Sequence, residues 1–389
     1  MTLTTDRPAD AADAVDHDAL RELGRTFVER EIAPHLQRWE DEREIPRDLH
    51  VAAARQGLLG VGFPTEVGGE GGSVLDTVVL QEAMYEAGAS SGLMAGLFTH
   101  GIALPHIVSS GDASLIDRFV RPTLAGELIG SLAVTEPGGG SDVANIRTTA
   151  VREGDHYVVN GAKTYITSGV RADFVTTAVR TGGPGHGGVS LLVVEKGTPG
   201  FTVDRKLEKM GWHCSDTAEL GYRDVRVPVE NLVGAENAGF YAIAEQFVVE
   251  RVALAVHAYG IAARCLELTA QWCRERETFG KPLIANQVVR HQLVEMRRQI
   301  EVARVYTHEV ARRHDAGETV IAEACLAKDT ACQTSTHVVD RAVQLHGGMG
   351  YMHGTEVERH YRDARILPIG GGASEVLADL AAKLLGYAS

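Results

Sequence analysis

The sequence predicts an α+β fold of three consecutive domains, helical, then β, then helical. Three observations predict it. Apolar residues recur at helical spacing up to about residue 126. Short extended runs separated by Gly, Pro, Asp and Asn then occupy residues 127–234. Long helical periodicity returns from 235 to 389. The expected divisions are therefore 1–126, 127–234 and 235–389, and 389 residues are enough for two or three sizeable cores.

Taken in order, Asp18 is expected to cap a first helix carrying Leu20, Leu23 and Phe27, which Pro34 kinks or ends. Ser73 and Asp76 form an S-x-x-D capping signal before TVVLQEAMYEAG. The middle region offers LIGSLAVT, HYVVNG, KTYITSG, DFVTTAV, VSLLVVE and FTVDRKL as strands. No segment between them is long enough for a crossover helix, so an antiparallel sheet is expected. Helices are then expected over about 236–276, 284–315 and 319–346, with a last short one starting near Ser374.

Composition narrows the function. Lys and Arg total 38 against 52 Asp and Glu, a net charge of −14, which argues against nucleic-acid binding. The N-terminal MTLTTDRPADAADAVDHDAL is polar and acidic, unlike a signal or transit peptide. No uninterrupted apolar run approaches the roughly 20 residues of a membrane span. Five cysteines without a CxxC pair point to reduced thiols, and sixteen histidines show no metal-ligand spacing, so no metal site is expected. A soluble, cytoplasmic protein is the expectation. Glycine stands out at 43 residues, concentrated in part in Gly138–Gly140 and Gly370–Gly372. The second cluster opens onto a helix N-terminus, where free amides favour negative charge or carbonyl oxygens. A GxGxxG at Gly183, Gly185 and Gly188 leads into a strand instead of a helix and reads as a hairpin loop.

Glu250 is the most conspicuous single residue. Phe240, Ile243, Phe247, Glu250 and Leu254 are spaced three, four, three and four, which sets a carboxylate in an apolar stripe. Three readings fit: an ion pair with Arg251 or a neighbouring helix, a helix turned far enough to wet the side chain, or a base whose pKa burial has raised.

Four stretches carry a resemblance: AVTEPGGGSD (Ala133–Asp142), KTYITSG (Lys163–Gly169), RETFGKPLIANQ (Arg276–Gln287) and QLHGGMGY (Gln344–Tyr351). In this order, from about Asp18 to Leu385, the chain resembles the acyl-CoA dehydrogenase family. That resemblance implies an N-terminal helical domain, a middle antiparallel β domain and a C-terminal four-helix domain, with bound FAD and a homotetramer. It places Val134, Thr135, Tyr165 and Thr167 by the flavin ring. It places Arg276, Phe279, Gln287, Gln344, Leu345, His346, Gly347 and Gly348 at the FAD adenosine and diphosphate, partly from a neighbouring subunit, and makes Ala373 and Glu375 further cofactor contacts. Ser141, Arg251 and Gly372 match positions that meet the acyl-CoA ligand.

One departure is informative. Many members carry their catalytic glutamate in a Y-E-G-T motif, where this chain has Gly371 within Ile369–Ala373. Long-chain and isovaleryl-type members carry it at the position matching Glu250. The implied reaction is α,β-dehydrogenation of a saturated acyl-CoA or carrier-protein thioester. Glu250 is the base, the Gly371 amide donates to the thioester carbonyl, and electrons pass on to an electron-transfer flavoprotein. A flavin oxidase or oxygenase on the same fold, and a non-catalytic scaffold, are the competing readings.

Overall fold

The computed structural model describes residues 16–388. The expectation that the first residues form no targeting segment falls mostly on 1–15, outside the described residues. The helices begin with α1 (His17–Phe27), α2 (Leu36–Glu42), α3 (Arg47–Arg55) and α4 (Val74–Glu86). They continue through α5 (Ser91–Leu97), α6 (His100–Ala103), α7 (Pro105–Ser110), α8 (Ala113–Leu115) and α9 (Arg121–Leu124). Asp16, not Asp18, caps α1: its Oδ1 accepts from the Asp18 and Ala19 amides at 2.9 and 3.2 Å. Both aspartates suit a helix start, and the cap falls to the residue with extended backbone (φ −73°, ψ 102°). A π-turn at Val28–Ile32 ends this helix two residues before Pro34, and the chain restarts at Leu36. At α4 the capping box is complete, with Ser73 Oγ accepting from the Asp76 amide and Asp76 Oδ2 from the Ser73 amide.

The sheet contains β1 (Gly130–Ala133), β2 (Thr149–Glu153), β3 (His156–Thr167), β4 (Phe174–Arg180), β5 (Val189–Glu195), β6 (Phe201–Lys206), β7 (Thr217–Pro228) and β8 (Leu232–Val233). Its order is β6-β7-β3-β2-β4-β5-β8, with β1 on β4. Most pairs are antiparallel, but β1–β4 and the single β2–β4 bridge are parallel. The parallel contact needs no helix because the β2–β3 hairpin lies within the β1–β4 connection. HYVVNG and KTYITSG are one continuous strand, β3. Three strands of this sheet escape the sequence reading: β2, the two-residue β8 and the twelve-residue β7, whose TAELGYRDVRVP is interrupted by charges. The Gly183–Gly188 stretch is the β4–β5 hairpin loop, held by Arg180 Nη1 donating to the Gly183 and Gly185 carbonyls at 2.8 and 2.9 Å.

The C-terminal helices are α10 (Gly239–Glu275), α11 (Gln287–Asp315), α12 (Ile321–His346), the short α13 (Gly348–Tyr351), α14 (Glu356–Ala364) and α15 (Ser374–Leu384). A two-residue hairpin, β9 (Glu277–Thr278) with β10 (Lys281–Pro282), links α10 to α11. By length and composition α10 could cross a membrane, yet 72% of its apolar window is buried inside the protein, which makes it a core helix. At about 1.5 Å per residue it is roughly 55 Å long. Its first turns pack Ile243, Phe240 and Phe247 on a core shared by the sheet and α7–α9. Its later turns place Val252, Ala255 and Tyr259 in the core shared by the two helical domains. The second face of the sheet has its own apolar layer. All five cysteines are free and buried.

Glu82 on α4 ties the two helical domains together. It is 1% exposed and accepts from Arg21 Nη2 of α1 at 2.9 Å, Tyr259 Oη of α10 at 2.8 Å and His308 Nε2 of α11 at 2.8 Å. Arg304 Nε lies 3.3 Å away. Burial alone would raise the carboxyl, but His308, Arg304 and Arg21 outweigh it and hold the pKa at about 2 instead of 4.5. A depressed acid stabilises the fold fully above its unfolded value and loses that contribution as pH falls toward the folded one. Acid unfolding is therefore expected to steepen between about pH 4.5 and 2, and Glu82→Gln should flatten that limb in a circular-dichroism titration. A titration identical to wild type would remove Glu82 from this role.

Candidate active site

Glu250 sits where α10 passes from one core to the other. Phe247, one turn before it, belongs to the sheet-side core, and Leu254, one turn after, packs on the helical core. The apolar stripe read from sequence is real, but at Glu250 it borders a seam, so the side chain is only half-buried. Among the described residues Glu250 makes no hydrogen bond and no ion pair, and the expected ion-pair alternative with Arg251 does not form. Burial pushes its carboxyl pKa above 4.5, while the Arg251 and Lys328 charges pull it partly back. Arg251 is 6% exposed, its Nε has no partner among the described residues, and its guanidinium lies 5.5 Å from the Phe247 ring centre.

The glycine loop before α15 closes on the same point. Gly371 has φ 63° and Gly372 has φ 96°, both in the left-handed region. A Cβ at 371 would lie 3.3 Å from Glu250 Oε1 and would overlap Leu254 Cδ1. Neither the Gly371 nor the Gly372 amide finds an acceptor among the described residues. The loop is held from behind by Lys328 of α12, 1% exposed, whose Nζ donates to the Gly370 and Gly372 carbonyls, each at 2.6 Å. Ala373 follows as the N-cap residue of α15, and Glu375 stands exposed in its first turn.

A second group forms where β1 leaves the sheet. Lys163, fully buried on β3, donates to Glu136 Oε1 and to the Val134 carbonyl, both at 2.9 Å. Burial pulls its ammonium down to about 8 against the opposing pull of Glu136. Glu136 also accepts from the Arg147 and Thr148 amides at 2.6 and 2.8 Å. This clamp fixes Val134 and Thr135, and the Thr135 carbonyl accepts from the Thr164 amide at 3.0 Å. Beside them Tyr165 occupies a break in the β3–β7 register at φ 61° and is 70% exposed. An aromatic residue in that conformation is uncommon and strained. The Thr167 carbonyl accepts from Ser131 Oγ at 2.6 Å. Val134 and Phe247 pack on the same apolar core, which links this group to the Glu250 turn. Ser141 is exposed and without a hydrogen bond among the described residues.

A third group surrounds Trp272 on α10. The Arg276 guanidinium lies 5.9 Å from its ring centre, and His346 stacks on it at 5.2 Å and 20°. His346 Nδ1 also meets the Ala342 carbonyl at 2.8 Å. The Arg276 hairpin and the Gln344–Gly348 turn are thereby neighbours. Phe279 on that hairpin, at φ 52°, is fully exposed and touches nothing of its own chain's core; Gln344 and Gln287 are also exposed, and Leu345 is half-buried. Space is open around Gly347 and Gly348. Exposed aromatic rings, open glycine backbone and an Arg–Trp–His stack suit a cofactor with a flavin ring, a diphosphate and an adenine. Among the described residues no three His, Cys, Asp or Glu gather to hold a metal ion.

Four principal residues of these groups were not singled out by sequence: Glu136, Lys163, Trp272 and Lys328. Lys163 and Lys328 carried a usable signal, since each is a charge among inward-facing positions, the same anomaly that exposes Glu250. Trp272 carried none beyond lying one turn before Arg276.

The comparisons agree along the whole chain. Family models match residues 14–127 (acyl-CoA dehydrogenase, N-terminal domain), 131–225 (middle domain) and 237–386 (C-terminal domain). The rat (Rattus norvegicus) mitochondrial long-chain specific acyl-CoA dehydrogenase is 38% identical over 373 residues, 95% of this chain and 86% of its own. An acyl-CoA dehydrogenase structure from Geobacillus kaustophilus superimposes with TM-score 0.91 at 38% identity, covering 96% of this chain and 99% of its own. The prolyl acyl carrier protein oxidase AnaB superimposes with TM-score 0.91 at 27% identity, covering 96% and 100%. The family's members are FAD-dependent oxidoreductases. With three domain models in chain order and a relative of this identity matched over nearly its full length, the chain belongs to the acyl-CoA dehydrogenase family.

Proposed function

We propose that this protein converts a saturated acyl-CoA thioester to the trans-2-enoyl thioester, with Glu250 as the base. One observation carries the proposal. A carboxylate without a partner among the described residues, its pKa raised by burial, adjoins a loop whose Gly371 has no side chain and an amide that is unpaired among those residues. Glu250 takes the proton from the α-carbon, and the base form it needs predominates above its raised pKa. The Gly371 amide donates to the thioester carbonyl as negative charge develops there. Arg251, Gly372 and Ser141 contribute to holding the acyl-CoA. FAD, when bound, supplies the acceptor for the hydride leaving the β-carbon. The residues that would hold it are Val134, Thr135, Tyr165 and Thr167 at the ring. Toward the diphosphate and adenosine they are Arg276, Phe279, Gln287 and Gln344–Gly348, with Ala373 and Glu375 completing the set.

An electron-transfer flavoprotein is the proposed electron acceptor. A homotetramer in the cytoplasm is the proposed assembly. The fully exposed Phe279, and Val294, Val302 and Val305 along one outer face of α11, support contacts with further copies. The likeness to a carrier-protein oxidase supports a second reading, in which dioxygen accepts the electrons.

Anaerobic titration with saturated acyl-CoAs of graded length should bleach the flavin absorbance of the wild-type protein. Glu250→Gln should still bind the ligand but bleach about 10²–10⁴-fold more slowly. An undiminished rate would place the base elsewhere. The acid limb of kcat/KM should lie above the usual carboxylate range, with activity rising as pH rises through it. A limb at or below pH 4.5 would contradict burial as the tuning force. Gly371→Ala should retain FAD yet lose most of its turnover, because its methyl group overlaps Leu254 and crowds Glu250. Peroxide release in air as fast as reduction of an artificial acceptor would favour the oxidase.

A further inference from the structure

We infer that Lys328 is a positioning residue for the reaction: its buried ammonium clamps the Gly370–Gly372 loop so that the Gly371 amide and the Glu250 carboxylate share one edge of the cleft. This inference rests on the function proposed above.

Lys328 lies in the apolar stripe of α12, with Ala324, Cys325, Ala331 and Cys332 as its neighbours at helical spacing, all buried. An ammonium in such surroundings is costly unless its protons are used. Two of them go to the Gly370 and Gly372 carbonyls, on either side of Gly371. Both carbonyls are drawn onto one nitrogen, so the peptide unit before Gly371 and the one after Gly372 turn their oxygens toward α12. The two glycines reach this geometry at φ 63° and 96°, where a residue with a side chain would be strained. With the Gly370 carbonyl turned toward α12, the trans peptide directs the Gly371 N–H the opposite way, where it meets no acceptor among the described residues, and Glu250 Oε1 stands 3.3 Å from the missing Cβ of the same residue. A charge-assisted pair of bonds is stronger than a turn held by neutral ones.

The same ammonium acts on Glu250 through space. The charged groups that face Glu250 are Arg251 on its own helix and Lys328 on α12, and both lower its pKa against the effect of burial. Around Lys328 itself stand Cys332, Glu250, Arg251 and Asp329. Removing the Lys328 charge leaves burial opposed by Arg251 alone, so Glu250 must titrate at higher pH.

The test compares FAD-loaded wild type with Lys328→Met, which removes donors and charge at similar length, and Lys328→Arg, which keeps the charge. Three quantities are read: hydrogen–deuterium exchange over residues 366–376, the pH dependence of kcat, and the division of any loss between kcat and KM. Lys328→Met should show faster exchange in that segment and kcat lower by about tenfold to a hundredfold with KM little changed. Its acid limb should move to higher pH. Lys328→Arg should keep the wild-type limb while losing part of the exchange protection. A Met variant with unchanged exchange and an unmoved limb overturns the inference. So does failure of both variants to fold and retain FAD, which would assign Lys328 to stability alone. A wild-type protein that no acyl-CoA bleaches refutes the proposed function instead, and the exchange comparison still reports whether Lys328 holds the loop.

Discussion

The space between α10 and the loop before α15 admits one acidic side chain and no second group. Leu254 already occupies the position that a Cβ at 371 would take, and Glu250 Oε1 lies 3.3 Å from it. A carboxylate projecting from the loop and one projecting from the helix would compete for the same volume. They would also repel each other at that separation. Glycine at 371 and glutamate at 250 are therefore a single choice, and the left-handed backbone of the loop follows from it.

Two buried lysines anchor the backbone around this site, one at the glycine loop and one where β1 leaves the sheet. Lys328 grips the carbonyls of the glycine loop from α12, and Lys163 grips Glu136 and the Val134 carbonyl from β3. An ammonium carries several donors on one atom, so it can gather carbonyls from chain segments that share no ladder. The penalty of burying each charge is offset only when those acceptors are in place, which makes each clamp all-or-none. Glu82 works in the same way with the opposite sign, gathering donors from α1, α10 and α11. Rigid helices and sheet are thereby joined at points, while the cleft between them keeps unpaired polar groups for a ligand.

The long helix α10 gives these anchors a common frame. It belongs to the sheet-side core at Ile243 and to the helical core at Val252, with Glu250 between them. A polar residue at that level breaks neither core, because neither extends across the seam. Three turns past Tyr259 the same helix presents Trp272, on which Arg276 and His346 converge. One element thus spans from the proposed base to the proposed dinucleotide end of the cofactor site.

Much of this was legible in the chain alone. Periodicity separated the three regions, the Ser73–Asp76 capping signal marked a real capping box, and the carboxylate in the α10 stripe stood out without any relative to compare. Each of these is a local signal, set by side chains within a turn or two of one another. What the sequence could not show was non-local. The β7 strand was hidden because its charges interrupt the alternation that marks a strand, and its pairing with β3 and β6 overrides that propensity. Asp16 took the cap from Asp18 by one backbone angle. Whether Glu250 would pair with Arg251 or stand free depended on which side of α10 met the seam. Lys328 acquired its partners from a loop 42 residues away. Residue order determines which faces are apolar and where helices can start; only the packed structure decides which buried charges meet, because that depends on distances between segments no local pattern encodes.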